Sequence, residues 1–176
     1  MSTWNSRGLR GSNLEDLINF TNEAYREKKL ALIQKIPTPI KPVRIEKETR
    51  HITLAYFDAK STVDYVGVVQ GIPVCFDAKE CHKDTFPLQN IHEHQVAFMK
   101  EFEEQGGVSF LIIHYTQRNL MIYLPFKNMY EFWVRMMNGG RKSFLLDEVD
   151  LSYEIPMQGA MIHYLKAIQK DLNERE

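Results

Sequence analysis

Ser61-Thr62-Val63-Asp64-Tyr65-Val66-Gly67-Val68-Val69-Gln70-Gly71-Ile72-Pro73-Val74-Cys75-Phe76-Asp77-Ala78-Lys79-Glu80 is the stretch on which the fold turns. Two apolar runs, residues 63–70 and 72–79, flank Gly71 and predict a hairpin of two strands joined by a tight turn. Strand alternation places Val74, Phe76 and Ala78 on one face of the second run and Cys75, Asp77 and Lys79 on the other. Twelve residues separate Asp64 from Asp77 on the neighbouring strand, so two carboxylates and a lysine arrive together. A hard cation such as magnesium takes carboxylate oxygens, carbonyls and water, which Asp64, Asp77 and the Ala78 carbonyl can offer. Lys79 beside them is suited to orienting or deprotonating an attacking water, or to stabilising negative charge on a phosphate. Thr62, two positions before Asp64 on the expected strand, is a further oxygen donor on that face or a strand filler. Taken alone the pattern is weak, because many strands end in a solvated acid and lysine.

The flanking chain supplies the context. Ser12 or Asn13 caps an expected helix through Leu14, Leu17, Ile18 and Tyr25, with Glu15 and Asp16 in its first turn. A short strand over residues 30–36 closes at Pro37-Thr38-Pro39. Residues 38–60 then form a charged excursion, expected to project from the body like a stalk or ribbon. After the hairpin, residues 90–104 predict a helix ended by Gly106-Gly107. Strands are expected over 108–115 and 120–124, then an aromatic-rich helix over 127–137 and a last helix over 159–172. The order predicts one α/β domain spanning residues 1–176, a mixed sheet flanked by helices, with residues 1–12 as a flexible arm.

With 44% hydrophobic and 26% charged residues the chain has the balance of a folded globular protein. No apolar run approaches the roughly 20 residues that span a bilayer, and the N-terminus lacks an apolar signal core, so a cytoplasmic protein without membrane contact is expected. Cys75 and Cys81 form no CxxC pair, which argues against a disulfide framework or a structural zinc. The net charge of -1 does not suggest a nucleic-acid binder, yet residues 1–51 hold ten Lys/Arg against six acids, a basic bias compatible with phosphate contact.

The Asp-x(n)-[Asp/Glu]-x-Lys arrangement resembles the active-site motif of restriction-endonuclease-like nucleases. A closer match lies in Asn5-Ser6-Arg7-Gly8 and Asn13-Leu14-Glu15-Asp16-Leu17-Ile18-Asn19, in Lys35-Ile36-Pro37-Thr38-Pro39, and in the hairpin itself. With Phe86-Pro87-Leu88-Gln89-Asn90-Ile91-His92-Glu93-His94-Gln95 and Gly140-Arg141-Lys142-Ser143, these segments resemble the RecU Holliday junction resolvases from about residue 5 to the last helix. The resemblance implies a restriction-endonuclease-like fold and a homodimer that binds four-way junction DNA and cuts two opposed strands, using Mg2+ or Mn2+. It implies Asp64 and Asp77 as metal ligands, Lys79 as the catalytic lysine and Glu15 as an additional acid, with Gln95 near the metal. It also implies a stalk entering the junction centre, where Lys41, Arg44, Lys47 and Arg50 stand, Arg50 being the first candidate for DNA contact. Arg7 in the arm and Arg141 and Lys142 near the helix end are the further DNA-binding candidates. Recombinase or branch-migration proteins are the protein partners to expect. Two departures are the shorter stalk and Asp77, where relatives usually carry glutamate.

Other motifs read plainly. His92 and His94 lie two apart, so on a helix they point in different directions and are not a ligand pair. Phe126, Tyr130, Phe132 and Trp133 at helical spacing are core. Gly-Arg-Lys-Ser lacks the rest of a phosphate-binding loop, leaving backbone contact or a solvated helix end. Three classes stay open: a junction-selective nuclease, a duplex restriction or repair nuclease, and a DNA-binding recombination accessory protein without activity.

Overall fold

The structure, a computed structural model, describes residues 13–57 and 62–175. In chain order its elements are α1 (Leu14–Glu27), β1 (Ala31–Lys35), β2 (Ile40–Ile45), β3 (Ile52–Phe57), β4 (Tyr65–Val69), β5 (Ile72–Cys81), β6 (Thr85–Pro87) and α2 (Glu93–Glu104). They continue with β7 (Val108–Tyr115), β8 (Leu120–Pro125), α3 (Phe126–Met137), β9 (Ser143–Leu145), β10 (Met157–Gln158), β11 (Met161–Ile162) and α4 (Leu165–Arg175).

A five-stranded sheet in the order β1-β4-β5-β7-β8 forms the centre. It is mixed: β5 pairs parallel with β7, and the other neighbours are antiparallel. Because side chains alternate across a strand, each face of the sheet builds its own core. Val74, Phe76, Phe110, Ile112 and Tyr123 pack with Leu17 and Ile18 of α1 and Ile168 of α4. Cys75, Leu111, Ile113 and Leu124 pack on the opposite side with Val96 and Met99 of α2 and Met129 of α3. On the first face the rings of Tyr65, Phe76, Phe110, Tyr123 and Tyr153 stack in succession, with centroids 4.3 to 5.5 Å apart. The aromatics of α3 belong to the core as expected, with Phe126 buried and Tyr130, Phe132 and Trp133 half-buried against the second core. Both cysteines are free and buried.

α1 starts where its cap predicts: the Asn13 side chain accepts the Asp16 N–H at 2.9 Å. The excursion is an antiparallel ribbon of β2 and β3, paired with each other alone in a two-stranded sheet. Ile45, Ile52, Leu54 and Phe57 on it are exposed. The expected arm, residues 1–12, lies outside the described residues, and Arg7 with it.

Three boundaries differ from expectation. β4 begins at Tyr65, because the chain bends at Asp64 and breaks the alternation: Val63 packs into the α2/α3 core whereas Tyr65 packs into the α1 core. Thr62 therefore precedes the strand. The last helix starts at Leu165, since residues 157–162 fold into the β10–β11 hairpin, whose Met161 and Ile162 pack under α1. The segment before α2 is a single 3-10 turn, Leu88–Asn90, and β6 ahead of it pairs with β9.

Gly67 lies hard against β1. A Cβ there would meet the Leu32 carbonyl oxygen at 2.2 Å and the Ile33 Cα at 2.6 Å, both backbone atoms of β1. Gly67→Ala is expected to destabilise the protein by roughly 1–3 kcal/mol, as overpacking does. Urea unfolding measures the loss, and hydrogen exchange should place it first in β1; unchanged exchange there would show that β1 accommodates the methyl.

Candidate functional site

The site forms where β5 outruns its antiparallel partner. Pairing of β4 with β5 ends at Tyr65 opposite Phe76, while β5 continues to Cys81 beside β7. The next N–H of β5 that faces this side, that of Ala78, donates to Asp64 Oδ2 at 2.9 Å. Asp64 is held in turn by its own backbone. Its N–H donates to Asp77 Oδ1 at 3.1 Å, and its carbonyl accepts the Ile36 N–H at 2.7 Å. The two aspartates are thus tied together across the hairpin by groups that leave little rotamer freedom.

Asp77 is fully buried. Both its oxygens accept from Gln95 Nε2 at 3.0 Å, and the Lys79 ammonium lies 2.5 Å from Oδ2. Gln95 is the third residue of α2, and its Oε1 accepts the His92 N–H at 3.0 Å. That contact sets the amide orientation: with the oxygen turned to the helix start, the NH2 group faces Asp77. Burial pushes the Asp77 carboxyl up to about 7; Lys79 lowers it and the charge of Asp64 raises it further.

A divalent cation suits this donor set. Two like-charged carboxylates are held together, one of them deprived of water, beside the Lys79 ammonium. Among the described residues no three His, Cys, Asp or Glu side chains gather closely enough for an all-protein cage. Two carboxylates, a carbonyl and water match the way magnesium is usually held.

Glu15 stands at the same end of the sheet, on α1, but its carboxylate is engaged by Lys35 of β1. Thr62 is half-buried just ahead of the bend. Arg50 lies far out at the β2–β3 turn, with a positive φ of 58° and its N–H donating to the Glu46 carbonyl. Arg141 pairs with Glu148 at 3.3 Å, and Lys142 is exposed with its carbonyl accepting the Leu88 N–H. One expectation is overturned: His92 and His94 stack, with centroids 5.4 Å apart and planes at 9°. His92 is the N-cap, with extended backbone, so the helical angle between positions two apart does not apply to it.

Sequence reasoning missed Glu80, whose Oε1 accepts the N–H of Leu14 at 2.9 Å and so anchors the first turn of α1. Strand alternation puts Glu80 on the α1 face, but no local signal says that it meets a residue 66 positions away.

A central mixed sheet carrying an Asp…Asp-x-Lys cluster on its hairpin, closed by a glutamine from the next helix, defines the class of α/β protein. The model of the family Recombination protein U (RecU) matches residues 9–170. The chain is 41% identical over 167 residues to the Holliday junction resolvase RecU of Limosilactobacillus reuteri (strain DSM 20016), covering 92% of this chain and 82% of that one. It is 41% identical over 169 residues to the RecU of Pediococcus pentosaceus, covering 93% and 84%, and 39% identical to that of Listeria welshimeri over the same shares. This chain belongs to the RecU family.

The raised Asp77 carboxyl carries a pH signature. Its ordinary value is near 4, so the stability it contributes is present below about pH 4 and lost as the pH rises through about 7. In EDTA, the unfolding free energy of wild type should therefore fall by roughly 1–3 kcal/mol relative to Asp77→Asn between pH 5 and pH 8. Urea titrations at the two pH values test this; a constant difference would mean that Asp77 is already charged at pH 5.

Proposed function

We propose that this protein is a structure-selective endonuclease that resolves four-way DNA junctions by metal-dependent hydrolysis of phosphodiester bonds. The observation that carries the reading is the Asp64–Asp77–Lys79–Gln95 cluster, in a chain matched by the family model over residues 9–170. The relatives at about 40% identity bear the name Holliday junction resolvase.

In this reading Asp64, Asp77 and the Ala78 carbonyl would hold Mg2+ or Mn2+. The bound cation supplies Lewis-acid polarisation of a phosphate oxygen and a water of lowered pKa. The Lys79 ammonium, fixed beside the cluster, faces the negative charge that grows on the phosphate as water adds. Gln95 keeps the Asp77 carboxylate in one orientation, and Thr62 and Glu15 would be further oxygen donors to the site. The exposed Lys41, Arg44, Lys47 and Arg50 of the β2–β3 ribbon give it the charge to enter a junction. A homodimer would set two such sites against a substrate of approximate two-fold symmetry, and sedimentation at working concentrations tests it. Recombinase or branch-migration proteins would be its functional neighbours. No helix among the described residues is long and apolar enough to cross a membrane; the site of action in this reading is the cytoplasm.

The deciding experiment is cleavage of a synthetic mobile four-way junction beside linear duplex of the same sequence, with magnesium, manganese or EDTA. Paired symmetrical nicks that need metal and vanish from the duplex are expected. Asp64→Ala, Asp77→Ala and Lys79→Ala should each lower the rate by about a hundredfold or more while junction binding survives. Equal cutting of duplex would indicate a general nuclease, and binding without any cleavage an accessory protein. Thr62→Val distinguishes a ligand, whose loss raises the metal needed for half-maximal rate, from a strand entry that leaves it unchanged.

DNA contact near the α3 end has its own test. Arg141 is partly neutralised by Glu148, so Lys142→Ala should weaken junction binding more than Arg141→Ala. It should also reduce the slope of log affinity against log salt by about one. An unchanged slope in both variants would remove this surface from the interface.

A further inference from the structure

Tyr65 follows Asp64 directly, and Phe76 directly precedes Asp77. The two are register partners across β4 and β5, and their rings stack with centroids 4.7 Å apart and planes at 12°. An aromatic pair thus flanks the two aspartates one residue away on each strand. Tyr65 is also fully buried, which puts its hydroxyl under α1. There it donates to Asn19 Oδ1 at 3.0 Å and lies 3.5 Å from the Glu15 carbonyl oxygen. On its other side Tyr65 is the register partner of Lys35, the residue whose ammonium engages the Glu15 carboxylate. A closed frame results, in which the first turn of α1 is tied to the residue that adjoins Asp64.

We propose that Tyr65 is a positioning residue for the cleavage reaction: its hydroxyl, through Asn19, holds the first turn of α1 and the Glu15 carried there in register with the Asp64–Asp77 pair. The inference rests on the nuclease reading above. A tyrosine used only as core would not need its hydroxyl, since phenylalanine fills the same stack. Here the hydroxyl spans from the sheet to a specific side chain of α1. Glu80, from the far end of β5, holds the Leu14 N–H of the same turn, so α1 is fixed at its start by β5 and one turn later by β4. Misplacement of a catalytic group by even about 1 Å is enough to slow a reaction substantially.

Tyr65→Phe removes the hydroxyl and keeps the stack; Asn19→Ala removes the acceptor from the helix side and leaves Tyr65 intact. Each full-length variant, and the double variant, is compared with wild type for kcat and KM on the four-way junction and for junction affinity in EDTA. The binding of Mn2+ to the protein without DNA is followed by calorimetry. The expected result is a fall in kcat of about tenfold for either single variant, with KM and affinity in EDTA unchanged and Mn2+ binding weakened or altered in stoichiometry. The double variant should be no slower than Tyr65→Phe alone, because that substitution already removes the contact to Asn19. Full kcat with unaltered Mn2+ binding in both single variants would overturn the proposal. So would losses that simply multiply in the double variant, or a fall confined to KM. If wild type itself fails to cut junctions, the nuclease reading fails, whereas a cutting wild type with indifferent variants removes the role of Tyr65 alone.

Discussion

Where β4 stops and β5 goes on, the N–H of Ala78 would be left without a strand partner on that side. The carboxylate of Asp64 takes it, at 2.9 Å. Leaving a buried backbone N–H unpaired costs about as much as a lost hydrogen bond, so this contact is imposed by the sheet as well as by chemistry. Once Asp64 serves as the substitute for a strand, its own N–H turns toward Asp77 and the two acids are locked within one network. The bend that brings Asp64 there also throws Val63 and Tyr65 into opposite cores, and both are fully buried. Moving Asp64 would disturb both layers at once.

The network holds an electrostatic tension that the fold alone does not relieve. Asp77 is cut off from water and faces a second carboxylate, and the Lys79 ammonium does not bring its carboxyl back to the ordinary range. Gln95 contributes dipoles but no charge. A site of this kind gives up stability at neutral pH in order to keep an anionic oxygen dry and oriented, an arrangement that suits capture of a hard cation. The surrounding sheet bears the cost. The stacked rings from Tyr65 to Tyr153 cross four strands and bind them on the α1 side, while α2 and α3 close the other.

Charge is divided in space as it is along the chain. Half of the basic excess of the first 51 residues is carried outward on the β2–β3 ribbon, where Lys41, Arg44, Lys47 and Arg50, set against Glu46 and Glu48, are all exposed. Around the body, by contrast, many cations are spoken for: Arg118 by Asp84, Arg135 and Arg141 by Glu148, and Arg175 by Asp171 and Glu103. A nearly neutral protein can therefore still present a basic projection to a polyanion.

Much of this was legible in the residues. The period of two across residues 72–79 determined which face carries Asp77 and Lys79, the Asn13 cap determined where α1 begins, and the apolar runs determined that a hairpin and a flanked sheet would form. These are local constraints, fixed by backbone stereochemistry and by which side chains avoid water. The tertiary structure alone decided the phase break at Asp64, the grip of Gln95 on Asp77, the Glu80 contact with Leu14 and the engagement of Glu15 by Lys35. It also decided the stacking of His92 on His94 and the late start of α4. Each joins segments that periodicity treats separately, or depends on a cap or bend that departs from the regular period. Their partners and burial exist only once the sheet has brought distant strands into register and the helices have docked on it.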